Sequence, residues 1–86
     1  MKVYMIIYGY VNCHHGVIDT DIKYVCGTLE KAKEKLMEYE KEIKDYYKNE
    51  YGGYEEWHNE KGTAFELTYE QDHITYYKII ESECEE

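Results

Sequence analysis

The chain has 86 residues, the size of one small domain, so residues 1–86 are predicted to form a single domain. Its 19 acidic residues outnumber 10 lysines, arginine is absent, and the formal net charge is −9. This balance excludes direct binding to nucleic acid, because a phosphate backbone is bound by clustered basic side chains.

The cysteines and the N-terminus indicate the compartment. Cys13, Cys26 and Cys84 are odd in number and form no disulfide framework, which is typical of reduced thiols in a cytoplasm. The N-terminal run lacks the cleavage site of a signal peptide, and no stretch approaches the roughly 20 apolar residues of a membrane span. We therefore expect a cytoplasmic protein that makes no membrane contact.

Two strands are predicted at the start of the chain, at residues 2–11 and 20–26, with the turn-forming residues 12–19 between them. Side chains alternate across a strand, so the first strand has an aliphatic odd-numbered face and a tyrosine-rich even-numbered face. We expect the odd-numbered face to meet the core and the tyrosines to point out from the open side of the sheet. In the second strand, one face is predicted to hold Ile22, Tyr24 and Cys26.

A long amphipathic helix follows. Thr28 is predicted to cap its N-terminus, and Gly52 and Gly53 to end it. Glu40 and Lys44 are spaced to form an i,i+4 ion pair. Apolar residues recur at steps of three and four, which predicts one buried stripe: Leu29, Ala32, Leu36, Tyr39, Ile43 and Tyr46.

The last third of the chain is predicted to form a hairpin. Residues 51–62 are interpreted as a connection, residues 63–69 and 73–81 as the third and fourth strands, and residues 82–86 as a frayed acidic tail. The element order is β-β-α-β-β. The sequence therefore predicts an α+β fold, with a four-stranded, mainly antiparallel sheet and one long helix packed on one face.

Few residues indicate chemistry. Cys13, His14 and His15 are consecutive potential metal ligands, but structural zinc sites usually take four ligands in spaced pairs, and the other cysteines and histidines are scattered. A small metal-binding protein using these three residues is kept as one alternative. Because no nucleophile with its base and no phosphate-binding loop is recognisable, the chain is predicted to be no enzyme and to have no cofactor.

Three segments resemble parts of small uncharacterised proteins of phages and mobile elements: the opening MKVYMIIYGY, the helix entry CGTLEKAKEKL and the closing hairpin. The tyrosine-rich, acidic composition is also similar to that of anti-defence proteins, including anti-CRISPR inhibitors. The resemblance to the phage and mobile-element proteins covers most of the chain, whereas the similarity to anti-defence proteins is one of composition. It implies a small inhibitor of a host defence effector and carries over no catalytic residue.

The leading hypothesis is a non-enzymatic acidic inhibitor that docks on a basic surface of a host protein that handles nucleic acid, such as a CRISPR nuclease. Its carboxylates would imitate a row of phosphates, and its aromatic rings would supply the desolvated anchors. The predicted partner-binding residues are Tyr8, Tyr10, Tyr54, Glu55, Glu56 and Trp57.

Other interpretations stay open. The acidity could serve solubility alone, and a tyrosine row could be covered by the chain's own loop or by a second copy in a homodimer. A further alternative is an oligomeric binder that holds a nucleotide signal between tyrosine rings, with Lys23, Lys61 or Lys78 meeting the phosphates.

Overall fold

The computed structural model of the chain describes residues 1–70 and 72–83. One helix packs against one face of a five-stranded antiparallel sheet with the strand order β2-β1-β5-β4-β3. The elements are β1 (Lys2–Asn12), β2 (Gly16–Cys26), α1 (Leu29–Tyr51), β3 (Glu55–His58), β4 (Ala64–Tyr69) and β5 (His73–Glu83). The α+β class and the helix on one face are confirmed. Within the described residues there is no helix of the length and apolarity that crossing a membrane requires.

The prediction of four strands is wrong, because the segment interpreted as a connection contains β3. This strand has four residues and pairs antiparallel with β4, so that Trp57 lies opposite Glu66 and His58 opposite Phe65. All four residues are exposed, which explains why no buried alternation marks them in the sequence. At the other end, β5 continues to Glu83, so residues 82 and 83 belong to a strand. Residues 84–86 of the predicted tail lie outside the described residues.

The helix begins and ends where the sequence predicts. The Thr28 Oγ1 atom accepts a hydrogen bond of 3.2 Å from the Lys31 amide, and Gly52 takes the left-handed conformation, with φ 74°. The predicted stripe is correct in its middle but not at its ends. At the C-terminal end of the stripe, Tyr47 is buried instead of the predicted Tyr46. With 3.6 residues per turn, the residue four positions after Ile43 lies on the same side of the helix as Ile43.

The predicted orientation of β1 is wrong. Its even-numbered residues face the helix: Ile6 is fully buried, and Tyr8 and Tyr10 pack against the core. The Tyr8 ring lies 5.3 Å from the ring of Tyr77, and Tyr10 stacks on His73 at 5.8 Å. The tyrosines therefore provide core volume, because their rings pack beneath the helix with other rings from β5.

A register shift in the β1–β2 pair separates residues that were predicted to share a face. Ile6 pairs with Tyr24 and Ile7 pairs with Ile22, so Lys23 is the extra residue of a β-bulge. Tyr24 consequently packs against the core, whereas Ile22 points to the other side of the sheet and is 55% exposed. The prediction that Ile22 and Tyr24 share one face is wrong for this reason.

Candidate functional site

The sheet face opposite the helix carries most of the exposed apolar side chains of the strands. We call this surface the open face. Ile22 and Val25 are each 55% exposed, Trp57 is 52% exposed and Ile80 is 37% exposed. The strand registers place its other apolar side chains beside these four: Val3, Met5, Ile7, Val11, Ala64, Ile74 and Tyr76.

The sequence of β1 explains why an apolar face remains uncovered. This strand carries large apolar side chains on both faces, a pattern usual for strands that are covered on both sides. Residues 1–70 and 72–83 form one helix, α1, which covers the even-numbered face only. Contiguous apolar surface of this kind is typical of interaction sites on soluble proteins.

A row of four residues that lie opposite one another on neighbouring strands crosses the open face from the edge strand β3 to β1. The registers place Trp57 opposite Glu66, Glu66 opposite Tyr76, and Tyr76 opposite Gly9. Gly9 is buried because the Tyr76 ring lies across it, and a Cβ atom at position 9 would overlap that ring. The glycine thus lets Tyr76 lie close to the sheet, a pairing known to stabilise glycines in strands.

The negative charge is not spread evenly over the chain. In α1, seven acidic residues accompany six lysines, so the helix is nearly neutral. The rest of the chain has twelve acidic residues and four lysines, and therefore carries almost all of the net charge of −9. On the open face of the described strands, the carboxylates are those of Glu55 and Glu66, and Lys78 lies on the same face, diagonal to Glu66.

The structure does not bring the six predicted partner-binding residues onto one surface. Trp57 and Glu55 lie on the open face, as their register in β3 requires. The helix side of the sheet holds the other four: Tyr8, Tyr10, Tyr54 and Glu56.

Sequence reasoning missed the apolar part of the open face. Ile22 and Val25 were not identified because the bulge in the β1–β2 pair is not visible in the sequence. Ile80 was not identified because β5, like β1, is apolar on both faces. The signal that was available is Gly9, since a glycine inside a strand often marks a close approach by another group.

A cluster of charges ties the helix to β3. The Lys44 Nζ atom lies 2.6 Å from a Glu40 carboxylate oxygen and also pairs with Glu56, and His58 Nε2 lies 2.7 Å from the same Glu40 oxygen. Burial alone would raise the pKa of Glu40, but hydrogen bonds from Lys44 and His58 outweigh it and lower that pKa.

Within the described part of the chain, this cluster also contains the set of potential metal ligands whose atoms lie within 4.8 Å of one another: Glu40, Glu56 and His58. The ammonium of Lys44 pairs with both carboxylates and compensates one of their two negative charges. The arrangement is that of a partly exposed ion-pair network joining α1 to an edge strand.

The three consecutive ligands predicted as an alternative metal site form an exposed turn between β1 and β2. The Cys13 amide donates to the Asp72 carbonyl at 2.9 Å, and the His14 amide donates to the Asn12 side chain at 2.9 Å. The His14 Nε2 atom lies 3.2 Å from an Asp72 carboxylate oxygen. Within residues 1–70 and 72–83, the ligand atoms of Cys13, His14 and His15 do not all lie within 4.8 Å of one another.

The lysines of the nucleotide-binding alternative lie apart. Lys23 is on the edge strand β2, with its Nζ 5.1 Å from the Tyr8 ring centroid on the helix side. Lys78 is on the open face, 5.6 Å from the Tyr76 ring centroid. Lys61 lies in the connection between β3 and β4. These positions do not provide one phosphate-binding cluster.

Comparisons of the chain with protein-family models, with curated proteins and with solved structures found no match. By the fold and the site of its described residues, the chain is a small α+β protein in which α1 covers one sheet face and no described element covers the apolar opposite face.

Proposed function

We propose that this chain is a non-enzymatic binding protein that docks through the open face on a basic surface of another protein and inhibits it. The observation that carries this proposal is the exposure of Ile22, Val25 and Trp57 on a sheet face that no helix or strand of the described residues covers. Removing such side chains from water on binding is worth about 25 cal/mol for each Å² of apolar surface that becomes buried.

The sign of the charge favours a basic partner. Outside α1, the described strands and connections carry ten acidic residues and four lysines, so the surround of the sheet is strongly acidic. Complementary charge speeds association and disfavours wrong partners, and the apolar centre then provides the affinity. Proteins that handle nucleic acid present basic grooves for phosphate, so an acidic protein with an apolar docking face competes with nucleic acid there.

The biological setting that we propose follows the resemblance to phage and mobile-element proteins. In that setting the target is a bacterial defence effector, such as a CRISPR nuclease, and the chain acts as an anti-defence inhibitor in the cytoplasm. The open face replaces the predicted set of six residues as the proposed contact surface, with Trp57 and Glu55 common to both.

The test is a capture experiment from nuclease-treated bacterial lysate with immobilised wild-type protein and two variants. Ile22→Asp places a charge on the open face, and Met37→Asp places the same charge on the helix, where Met37 is 69% exposed. The added negative charge by itself favours a basic partner, so weaker capture by Ile22→Asp reports the loss of apolar contact.

The proposal predicts a basic nucleic-acid-binding protein that the wild type and Met37→Asp retain, that Ile22→Asp does not retain, and that salt releases. The purified partner must also lose binding to nucleic acid when the wild-type chain is added. Equal capture by all three proteins, or an eluate without such a partner, contradicts the proposal. So does a dimer in sedimentation experiments that Ile22→Asp separates into monomers, because a second copy would then cover the open face.

A further inference from the structure

We propose that the cleft between Trp57 and Tyr76 on the open face binds an arginine side chain of the basic partner, with Glu66 as the counter-ion. This inference rests on the proposed function and specifies the chemistry that the partner presents. The cleft has a volume of about 330 Å³ and is lined by residues of β3, β4 and β5: Trp57, Ala64, Phe65, Glu66, Tyr76, Tyr77 and Lys78.

The strand registers set the spacing of the cleft walls. Glu66 on β4 has Trp57 as its neighbour on β3 and Tyr76 as its neighbour on β5. Strands are about 4.8 Å apart, so the backbones that carry the two aromatic rings are about 10 Å apart. The Tyr76 ring lies toward Gly9, away from Trp57, and this leaves the space above Glu66 open.

The electrostatics of the cleft favour a cation. Glu66 is exposed, and the described residues place no lysine or histidine in ion-pair contact with its carboxylate. Indole and phenol rings both attract cations to their faces. A carboxylate between two aromatic walls therefore combines a cation–π site with a charge-assisted hydrogen-bond acceptor.

The molecule already shows where a cation lies against this wall. The Lys78 Nζ atom is 5.6 Å from the centroid of the Tyr76 ring, and Lys78 is exposed on a flexible side chain. An incoming cation must displace this ammonium from the ring. Removal of the Lys78 charge should consequently strengthen binding of a cation, an outcome that a purely apolar cleft would not produce.

Arginine fits the cleft better than lysine does. Its guanidinium is planar and weakly hydrated, stacks on aromatic rings and donates two parallel hydrogen bonds to one carboxylate. A lysine ammonium is more strongly hydrated and offers neither the stacking plane nor the paired donors. A nucleobase would stack as well, but its phosphate would meet the acidic surround of the sheet.

The experiment is an NMR titration with short peptides. Trp57 is the only tryptophan, so one indole N–H signal reports the cleft directly. The probes are acetyl-Gly-Gly-Arg-Gly-Gly-amide and the same peptide with lysine or with citrulline, the neutral counterpart of arginine. We expect the arginine peptide to shift the signal with an affinity at least about 5-fold higher than that of the citrulline peptide.

Two variants each remove one charge at the cleft, and each is paired with a control variant that removes the same charge from the helix. Glu66→Gln should weaken binding of the arginine peptide about 3-fold or more, and Glu34→Gln on the exposed side of the helix should leave it unchanged. Lys78→Met should strengthen binding about 2- to 5-fold, and Lys48→Met in the last turn of the helix should leave it unchanged. The remaining signals of each spectrum show whether the variant is folded.

Equal affinities for the arginine and citrulline peptides overturn the inference, and so does binding that Glu66→Gln does not weaken or that Lys78→Met does not strengthen. Equal affinities for arginine and lysine overturn the assignment to arginine. These titrations need no partner protein, so their failure is distinct from failure of the capture experiment. If the peptides fail while Ile22→Asp still abolishes capture, the cleft assignment falls and the proposed function stands.

Discussion

Ionisation of Tyr77 should destabilise the folded protein at alkaline pH. Its ring is stacked between Tyr39, at 5.4 Å, and Phe65, at 5.2 Å, and the residue is only 7% exposed. Burial raises the pKa of the Tyr77 phenol to about 12, from an ordinary value near 10. A shift of about two pKa units corresponds to about 2.7 kcal/mol of stability.

The sign follows from which state keeps the proton. The folded state favours the neutral phenol, so the unfolded chain loses its proton first as the pH rises. The contribution is fully present below pH 10 and disappears as the pH rises through 12. At pH 11, about half of it, or about 1.4 kcal/mol, should be gone. The pKa of Tyr69 is also raised, chiefly by burial, and adds to the loss in the same direction.

Urea unfolding followed by circular dichroism at pH 8 and pH 11 measures this effect. Tyr77→Phe keeps the stacked ring but removes the ionisation, so it should lose about 1.4 kcal/mol less stability than the wild type between the two pH values. Tyr46→Phe, at a tyrosine that is 52% exposed, serves as the control and should behave as the wild type. If the stability difference between wild type and Tyr77→Phe is the same at both pH values, ionisation of Tyr77 does not destabilise the fold.

Three further predictions concern stability and are measured by urea unfolding at pH 7. Gly9→Ala should lower the free energy of unfolding by about 1–3 kcal/mol, because its methyl group meets the Tyr76 ring. Adding Tyr76→Ser should restore much of that stability. If the loss is undiminished in the double variant, the methyl group clashes elsewhere. Tyr47→Phe should cost about 1–3 kcal/mol, because it leaves the fully buried hydroxyl of Thr75 without its hydrogen-bond partner. Adding Thr75→Val should restore part of that stability, and strictly additive losses would argue against the bond. Thr28→Ala should cost about 1 kcal/mol through loss of the helix cap, and no loss would exclude that role.

The helix could be predicted closely because its signals are local. A hydroxyl at Thr28 satisfies an amide of the first turn, and Gly52 adopts a conformation that other residues avoid. Neither interaction depends on the rest of the fold. The i,i+4 pair of Glu40 and Lys44 is also present as the spacing predicts.

The orientation of β1 could not be predicted because both of its faces are apolar. Which face a helix covers depends on the partners that β4 and β5 bring, here the rings of Phe65 and Tyr77 beneath α1. β3 was missed for a related reason, since a short exposed edge strand buries no alternating face.

The candidate site was predictable only in part. Trp57 stood out in the sequence as a large aromatic residue among carboxylates, and it does lie on the open face. Ile22 and Val25 did not stand out, because their exposure depends on the β-bulge and on the side that the helix takes. Contacts between distant parts of the chain therefore determine which residues form the open face.

The decisive measurement is the affinity of the purified, captured partner for the wild type and for Ile22→Asp, determined by calorimetric titration at physiological salt. We expect Ile22→Asp to weaken binding about 10-fold or more, because a charge enters an apolar contact, and Met37→Asp on the helix to bind as the wild type does. Equal affinities of the wild type and Ile22→Asp would contradict the claim that the open face is the docking surface.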